Sequence, residues 1–423
     1  MSTDGKGQLG FAATWALAVG GMVGGGIYTA LGVVVAVAVQ WSWLSFVIAG
    51  IVALTSAYSY AFLCNKFEQS GGAFEFLREI HQEGIAGSLS WMLIIGYVLT
   101  MSVYAYAFGH YVAFALGAGI WMTRGLAIAI MAALIGLNLM GTGKTSSVEM
   151  VIVAGNLLIL IGLGIIGLLR WDSLQLIAGV EPRPIWGAGI GAASIFMSYE
   201  GFQLLAYEYK EIKQPQKILY PALISAVIFA IAVYAMVAIG ATMLAGALTV
   251  VEQKEVALSL AAATVGGQVG IVVMTFAAGC ATAAAINSTL YSTAKLSSRV
   301  AKDGELPRWF EHHNHQDVPD RAIIFLGVLA TLLAIVGSLG TLVEGASLVF
   351  LLTFGTVNWI ATQHLEQHRW IPWLGVGVAA IISLVLIARL AILTPIALLL
   401  LAGLSAIALV GRPIILKRLQ TDD

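Results

Sequence analysis

Apolar residues in this chain come in long runs separated by short polar connections. A run of about 20 such residues crosses a bilayer as a helix, because the helix satisfies its backbone polar groups internally where no water can. Twelve runs read this way: residues 11–38, 42–64, 86–116, 123–141, 147–169, 185–208, 218–245, 266–294, 322–340, 343–361, 370–388 and 391–411. The last two nearly abut. Arg389 and Thr394-Pro395 suggest a tight turn between them, and one long kinked segment is the other reading. The first run has no strongly basic region before it and is interrupted by glycines, so it predicts a span and not a cleaved signal peptide. The pattern predicts an all-α polytopic membrane protein of about 12 transmembrane helices.

Composition sharpens this. The 423 residues are 59% hydrophobic and only 10% charged, whereas soluble domains are nearer about a quarter charged. A soluble enzyme is excluded. A net charge of −1 offers no basic surface to nucleic acid. Cys64 and Cys280 both lie in apolar runs and suggest neither a disulfide framework nor a thiolate metal site. No nucleophile–base pair, metal-ligand set or cofactor cradle stands out, so neither an enzyme nor a cofactor is expected. With both termini inside, sixteen lysines and arginines fall on the inner face. Only Arg124, Arg170, Arg183, Lys254 and Arg389 fall outside, so the positive-inside rule favours cytoplasmic termini.

Two spans depart from ordinary membrane helices. The first contains Gly20-Gly21-Met22-Val23-Gly24-Gly25-Gly26, five glycines in seven positions. Glycine is costly in helix interiors, and broken backbone at membrane depth survives only where protein or a cavity satisfies it. A break leaves amide donors for a carboxylate and carbonyl acceptors for an amine or cation. The plainer reading is a small-residue packing face. The sixth span carries Ser194 through Gln203 with Glu200 and Gly201 inside it, and Glu208 follows. A carboxylate in a lipid-spanning helix is a functional candidate by default. Glu200 reads either as a substrate or proton site or as a structural acid capping a broken helix. On a continuous helix Glu208 would sit roughly 12 Å further along a similar face, which suggests a stepped polar route; its nearness to Lys210 and Lys213 favours a partly wet, structural acid.

The other polar positions are weaker. Asn156 in the fifth span either lines the pathway or bridges helices. Ser288, Thr289 and Ser292 in the eighth either coordinate an ion or bond their own helix backbone. His110 reads as a neutral, satisfied histidine, and Tyr97–Tyr111 as packing with one or two cavity-facing hydroxyls. His312, His313 and His315 are weak indicators of metal. Glu344 lies near a helix start, where an acid suits the helix dipole.

Together these residues resemble the amino acid–polyamine–organocation superfamily, and within it a prokaryotic amino acid permease. The resemblance rests on Gly24-Gly25-Gly26-Ile27-Tyr28, Phe196-Met197-Ser198-Tyr199-Glu200-Gly201-Phe202, Glu211-Ile212-Lys213-Gln214-Pro215 and the stretch from Ala294-Lys295 to Leu306-Pro307. It runs from about Gly10 to Arg412. It implies a five-plus-five inverted repeat with discontinuous helices 1 and 6, followed by two further helices. The divisions are then a cytoplasmic N-terminus (1–10), the first repeat (11–169), the second repeat (185–361), two additional helices (370–411) and a cytoplasmic C-terminus (412–423).

In similar permeases the substrate carboxylate meets the break matching Gly24, Gly25 and Gly26, and its amino group meets carbonyls around Val19, Met22, Phe196 and Ser198. Phe202 resembles the aromatic residue that closes over substrate. Two departures matter. Some proton-coupled relatives carry a lysine where this chain has Asn156, which puts that coupling route in doubt. Glu200 stands where relatives often have an apolar residue, which favours a cationic group in the cargo or proton coupling through the acid itself. The expected function is alternating-access transport of an amino acid across the plasma membrane, with a preference for cationic cargo open. A polyamine or small-amine carrier or exchanger is the alternative, and a non-transporting amino acid sensor is the alternative from another class. The expected partners are that small molecule and membrane lipid, with proton coupling and homo-oligomerisation open and no nucleic acid.

Overall fold

The computed structural model describes residues 9–68, 72–79, 83–141, 146–406 and 408. The tail assignments beyond those limits, together with Lys6, Lys144, Arg412, Lys417 and Arg418, lie outside the described residues. The first half comprises α1 (Phe11–Ala38), α2 (Ser42–Phe67), the short α3 (Gly72–Glu79), α4 (Glu83–Ala115), α5 (Ile120–Leu139) and α6 (Ser146–Leu169). Then come α7 (Gly187–Ser194), α8 (Pro215–Ala245), the short α9 (Ala247–Glu252) and α10 (Ala257–Lys302). The chain continues through α11 (Asp320–Val336), α12 (Leu339–His364), α13 (Trp370–Leu393) and α14 (Pro395–Ala406). Among the described residues eight stretches are long and apolar enough to cross a membrane, the first of them, Phe11–Phe67, containing both α1 and α2. Three of the apolar runs take shorter forms: the sixth is broken, α11 has 17 residues and α14 has 12.

Span six breaks where its acid and glycine predicted. After α7 the chain passes through a 3₁₀ turn at Phe196–Tyr199, an extended Glu200 and Gly201 at φ 127°, then a ten-residue 3₁₀ segment, Phe202–Glu211. Such 3₁₀ runs rarely exceed about four residues, and long ones mark hinges or strain. Span one differs from expectation. It keeps a helical assignment from Phe11 to Ala38, and its discontinuity is expressed in hydrogen bonding, not as a gap between two helices. The carbonyls of Met22 and Val23 accept side-chain donors from α8 and α6. The glycines accommodate close neighbours, as the packing-face reading held. A Cβ on Gly25 would fall 2.3 Å from the Tyr104 ring, and one on Gly20 2.4 Å from Val153.

Lipid supplies little hydrophobic drive between helices, so their association rests on close packing and hydrogen bonds. α6 and α8 meet through Gly164, Gly167 and Gly240, with backbone against backbone. Asn358 of α12 donates to Ser56 of α2 at 2.9 Å and accepts from Ser59 at 2.7 Å. The eighth run is longer than its apolar core. α10 kinks at Gly267 (φ 55°), so a helical arm precedes the predicted start at residue 266. A backbone bridge ties the entry of α1 to the end of span six, Leu9 donating to Glu211 O at 3.0 Å and Lys213 to Leu9 O at 2.8 Å. On the same side, α3 buries Glu75 against Arg299 at 2.8 Å, and Arg78 pairs with Asp303 at 2.9 Å. Burial pushes the Glu75 carboxyl above its usual range, against the pull of Arg299 and Arg78.

The α6–α8 contact gives a stability test. A Cβ at position 167 would lie 2.3 Å from Gly240 O, whereas at Gly162, on the same helix, nothing lies within 4 Å. Gly167→Ala is expected to cost about 1–3 kcal/mol by overpacking. Gly162→Ala should leave stability unchanged or raise it slightly. Thermal denaturation of the detergent-purified variants separates them, and equal melting temperatures would refute the contact.

Candidate functional site

Spans one and six meet backbone to backbone. A Cβ on Gly201 would lie 2.3 Å from the Gly21 carbonyl carbon, and one on Gly21 would lie 2.9 Å from the Gly201 Cα. Gly201 also holds a positive φ that a side chain resists. Next to this crossing Glu200 is buried, with 2% of its surface exposed. Its Oε1 accepts from Gln203 Nε2 at 3.1 Å. Gln203 cannot turn its amide round, because its Oε1 already accepts the Gly201 amide at 2.8 Å. The same Nε2 lies 3.4 Å from the Tyr97 hydroxyl, which lies 3.3 Å from that of Tyr207. The Tyr104 hydroxyl faces the Glu200 carboxylate without completing a well-formed hydrogen bond. A buried acid is thus held by an amide and surrounded by tyrosines; Glu200 makes no ion pair among the described residues.

The broken backbone takes its remaining partners from three sides. Ser347 of α12 accepts the Met197 amide at 3.0 Å and donates to Ser194 O at 2.9 Å, bridging the break. Ser194 Oγ donates to Glu344 at 3.0 Å, and Arg389 Nε donates to the same carboxylate oxygen at 2.8 Å. Asn156 of α6 donates to Val23 O at 3.1 Å and accepts the Tyr28 hydroxyl. Tyr234 of α8 reaches both Met22 O and Ser198 O.

A cavity of about 420 Å³ leads away from the crossing, lined by Gly20, Gly21, Val153, Gly201, Glu208, Glu211, Ser288, Tyr291 and Ser292 among others. A second cavity of about 320 Å³ shares Glu208, Glu211, Tyr291 and Ser292 with it and adds Lys295, Arg299, Lys302 and His313. The two form a vestibule ending at the basic last turns of α10 and at His313 beyond them. At the other end of α1 the chain is tightly covered, and a Cβ on Gly32 would fall 2.2 Å from Lys254 O.

The structure gathers Val19, Met22, Gly24, Gly25, Gly26, Phe196, Ser198 and Glu200 into the buried centre around the crossing. Phe202 is equally buried, its ring 6.0 Å from Tyr60 and 5.3 Å from Phe354. Ser198 Oγ bonds its own backbone at Ile195 O, so what it offers neighbouring spans is its carbonyl. Glu208 does not continue the face of Glu200. The break at Gly201 and the 3₁₀ geometry void the two-turn estimate, and Glu208 lines the vestibule instead. Ser288 and Ser292 join it there, Ser288 also bonding Ala285 O, while Thr289 is buried away from it. Asn156 bridges helices at the glycine run.

Glu344 is corrected too. Ser338 caps α12, and Glu344 lies beyond the first turn, held by Ser194 and Arg389. His110 bonds Tyr106 O at 2.8 Å, as a satisfied histidine would. Sequence reasoning missed Gln203, Tyr207, Tyr234, Ser347 and the role of Arg389. Only a buried hydroxyl or amide inside an apolar run hinted at the first four.

A family model described as amino acid permease matches residues 9–396. The inner membrane transport protein YbaT of Escherichia coli is 28% identical over 386 residues, 89% of each chain. An uncharacterized protein of Methanocaldococcus jannaschii is 32% identical over 300 residues, 70% of this chain and 68% of its own length. The vacuolar cationic amino acid transporter 2 of Arabidopsis thaliana is 26% identical over 365 residues, 81% of this chain but only 57% of that protein. Among solved structures, MhsT in complex with L-phenylalanine superposes with a TM-score of 0.60 at 14% identity, covering 93% of this chain and 98% of that one. At that identity the likeness is one of fold.

The crossing predicts a graded response to one added methyl. Gly201→Ala and Gly21→Ala should abolish substrate binding or folding, because the new Cβ meets backbone. Gly24→Ala should fold, since its Cβ would come no closer than 3.6 Å to Ala281 O. Size-exclusion profiles and ligand-induced thermal shifts of the three variants check this. A well-folded, ligand-responsive Gly201→Ala would refute the contact.

Proposed function

From the premise that the chain belongs to the amino acid permease family, we propose how its site performs the transport that this membership entails. The protein is a secondary active amino acid transporter of the amino acid–polyamine–organocation type, working by alternating access, and not a catalytic enzyme. The finer architecture we propose is twelve spans arranged as two five-helix repeats (11–169 and 185–361) with two helices added (370–411). The supporting observation is that the two unusual spans stand first in each half and cross at Gly21 and Gly201. The bias of lysine and arginine supports cytoplasmic termini in a plasma or inner membrane. In that orientation the vestibule opens to the cytoplasm, and this conformation faces inward.

The observation that carries the mechanism is the convergence of span-one and span-six backbone beside a buried carboxylate. The glycine run at Gly24–Gly26 offers backbone to the substrate carboxylate, and the carbonyls of Met22 and Ser198 accept its amine. Val19 and Phe196 wall the same centre, and Phe202 closes over it. Glu200 receives either a cationic side chain or a proton. The first is favoured by the names of the Arabidopsis thaliana relatives, which are cationic amino acid transporters. Glu208, Ser288 and Ser292 line the exit route and Thr289 packs behind it. Asn156 supplies a neutral donor where a coupling lysine would act. A homo-oligomer is compatible with the apolar outer faces of α5 and α13.

Counterflow in proteoliposomes tests transport itself: radiolabelled amino acid should exchange saturably, and absence of exchange across amino acids and polyamines would overturn the reading. Glu200→Gln is expected to lower uptake of L-arginine and L-lysine about tenfold, the worth of a charge-assisted hydrogen bond, or to flatten its pH dependence. Unchanged behaviour on both counts, at matched expression, removes Glu200 from the mechanism.

The inward-facing assignment has its own test. In a Cys280→Ala background, Ser288→Cys and Ser292→Cys should react with a membrane-impermeant thiol reagent applied from the cytoplasmic side, and Thr289→Cys should not. Labelling only from the opposite side would reverse the orientation.

A further inference from the structure

Tyr234 lies fully buried on α8, its hydroxyl 2.6 Å from Met22 O and 2.7 Å from Ser198 O. These carbonyls belong to the two spans that cross at Gly21 and Gly201. A phenol has one proton and donates one full hydrogen bond at a time. Two acceptors therefore share one donor, and at any instant one carbonyl oxygen faces phenol lone pairs at hydrogen-bond distance. Among the described residues Tyr234 supplies the side-chain hydrogen bond to each of them. Its ring packs against Phe46 and Tyr199, with centroids 5.1 and 5.2 Å away. Gly26 makes the room. A Cβ there would stand 2.5 Å from Ser198 O and 2.7 Å from the Tyr234 hydroxyl.

We propose that the Tyr234 hydroxyl is a built-in stand-in for the substrate's α-ammonium group. It holds the paired carbonyls of spans one and six together in this conformation and yields them when substrate binds. The inference rests on the reading that Met22 O and Ser198 O receive the amine. A primary ammonium carries three N–H donors and satisfies both oxygens at once, which the phenol cannot. The exchange therefore favours the ammonium on donor count and makes Tyr234 a specificity-determining residue. A cargo without N–H donors cannot take over the pair. Tyr234 also explains why glycine stands at position 26, since a side chain there would exclude the phenol and the ammonium alike.

The test is substrate affinity with the hydroxyl removed. Wild type and Tyr234→Phe are reconstituted, and counterflow of radiolabelled L-lysine, L-arginine, L-alanine and L-phenylalanine is measured over a concentration series. For whichever probe the wild type exchanges, the variant's KM should fall about three- to tenfold, the span of one net hydrogen bond, with the maximal rate retained. A KM that is unchanged or raised overturns the stand-in role while leaving transport intact. Should the wild type exchange none of the four, the series is run with the remaining amino acids and polyamines, and absence of exchange across all of them overturns the transport reading and this inference with it. Should the variant fail to fold, protein carrying 3-fluorotyrosine at position 234 gives the second readout. Saturating L-lysine, or the exchanged probe, should move its ¹⁹F resonance, and an unmoved resonance overturns the proposal.

Discussion

The contact on which the site depends is the backbone crossing of Gly21 and Gly201. Two main chains approach so closely that a Cβ on either would collide with the other, and Gly201 adopts a φ of 127° to make the approach. A helix that turns this sharply gives up internal hydrogen bonds, and within a membrane those groups must find partners in protein. The surroundings of the crossing supply them. Ser347 bridges the break in span six, Gln203 takes the Gly201 amide, Asn156 takes Val23 O and Tyr234 takes two carbonyls. Gln203 belongs to the break itself and the other three partners come from α12, α6 and α8, so three separate stretches are drawn around one point.

This arrangement couples the acid to the hinge. Gln203 accepts from the Gly201 amide and donates to Glu200, so the orientation of the carboxylate is set by the residue whose backbone bends most. The α7 half of span six is held from later in the chain as well. Arg389 of α13 reaches Glu344 of α12, which in turn receives Ser194 at the end of α7. α13 thus contributes to the packing around the break, and the Leu9–Glu211 bridge ties the entry of α1 to the far end of the same span.

Much of this was legible in the sequence because lipid is a simple solvent. Long apolar runs have one economical structure, and a glutamate next to glycine within such a run needs an explanation. That is why the all-α, multi-span fold and the break at Gly201 could be read directly, and why Glu200 was singled out. The form of span one was less accessible. Consecutive glycines permit both a gap and a tightly packed helix, and only the neighbours decide; here Tyr104, Val153 and Gly201 fill the space and the helix persists. Glu208 was misplaced for a related reason: a spacing argument presupposes 3.6 residues per turn, and the segment after Gly201 is 3₁₀. Ser347 was invisible because a serine hydroxyl in an apolar helix usually bonds its own backbone, and Tyr234 because a tyrosine in an apolar run reads first as packing; nothing in their spacing says that they bond other spans.

The electrical character of the site follows from what faces Glu200. Its neighbours are an amide and tyrosine hydroxyls: Gln203, Tyr97 and Tyr104, with Tyr207 and Tyr234 further round. At the junction of α1 and α6, Asn156 supplies hydrogen bonds and no charge. Hydroxyls and amides orient a carboxylate but do not neutralise it, and an uncompensated charge this deep is expensive. A compensating positive charge would have to come from outside these neighbours, as a proton on the acid or as a cation beside it. Either would bring the same positive charge beside Gly201. On the proposed reading, selectivity for cationic cargo and proton coupling are therefore two uses of this one acid.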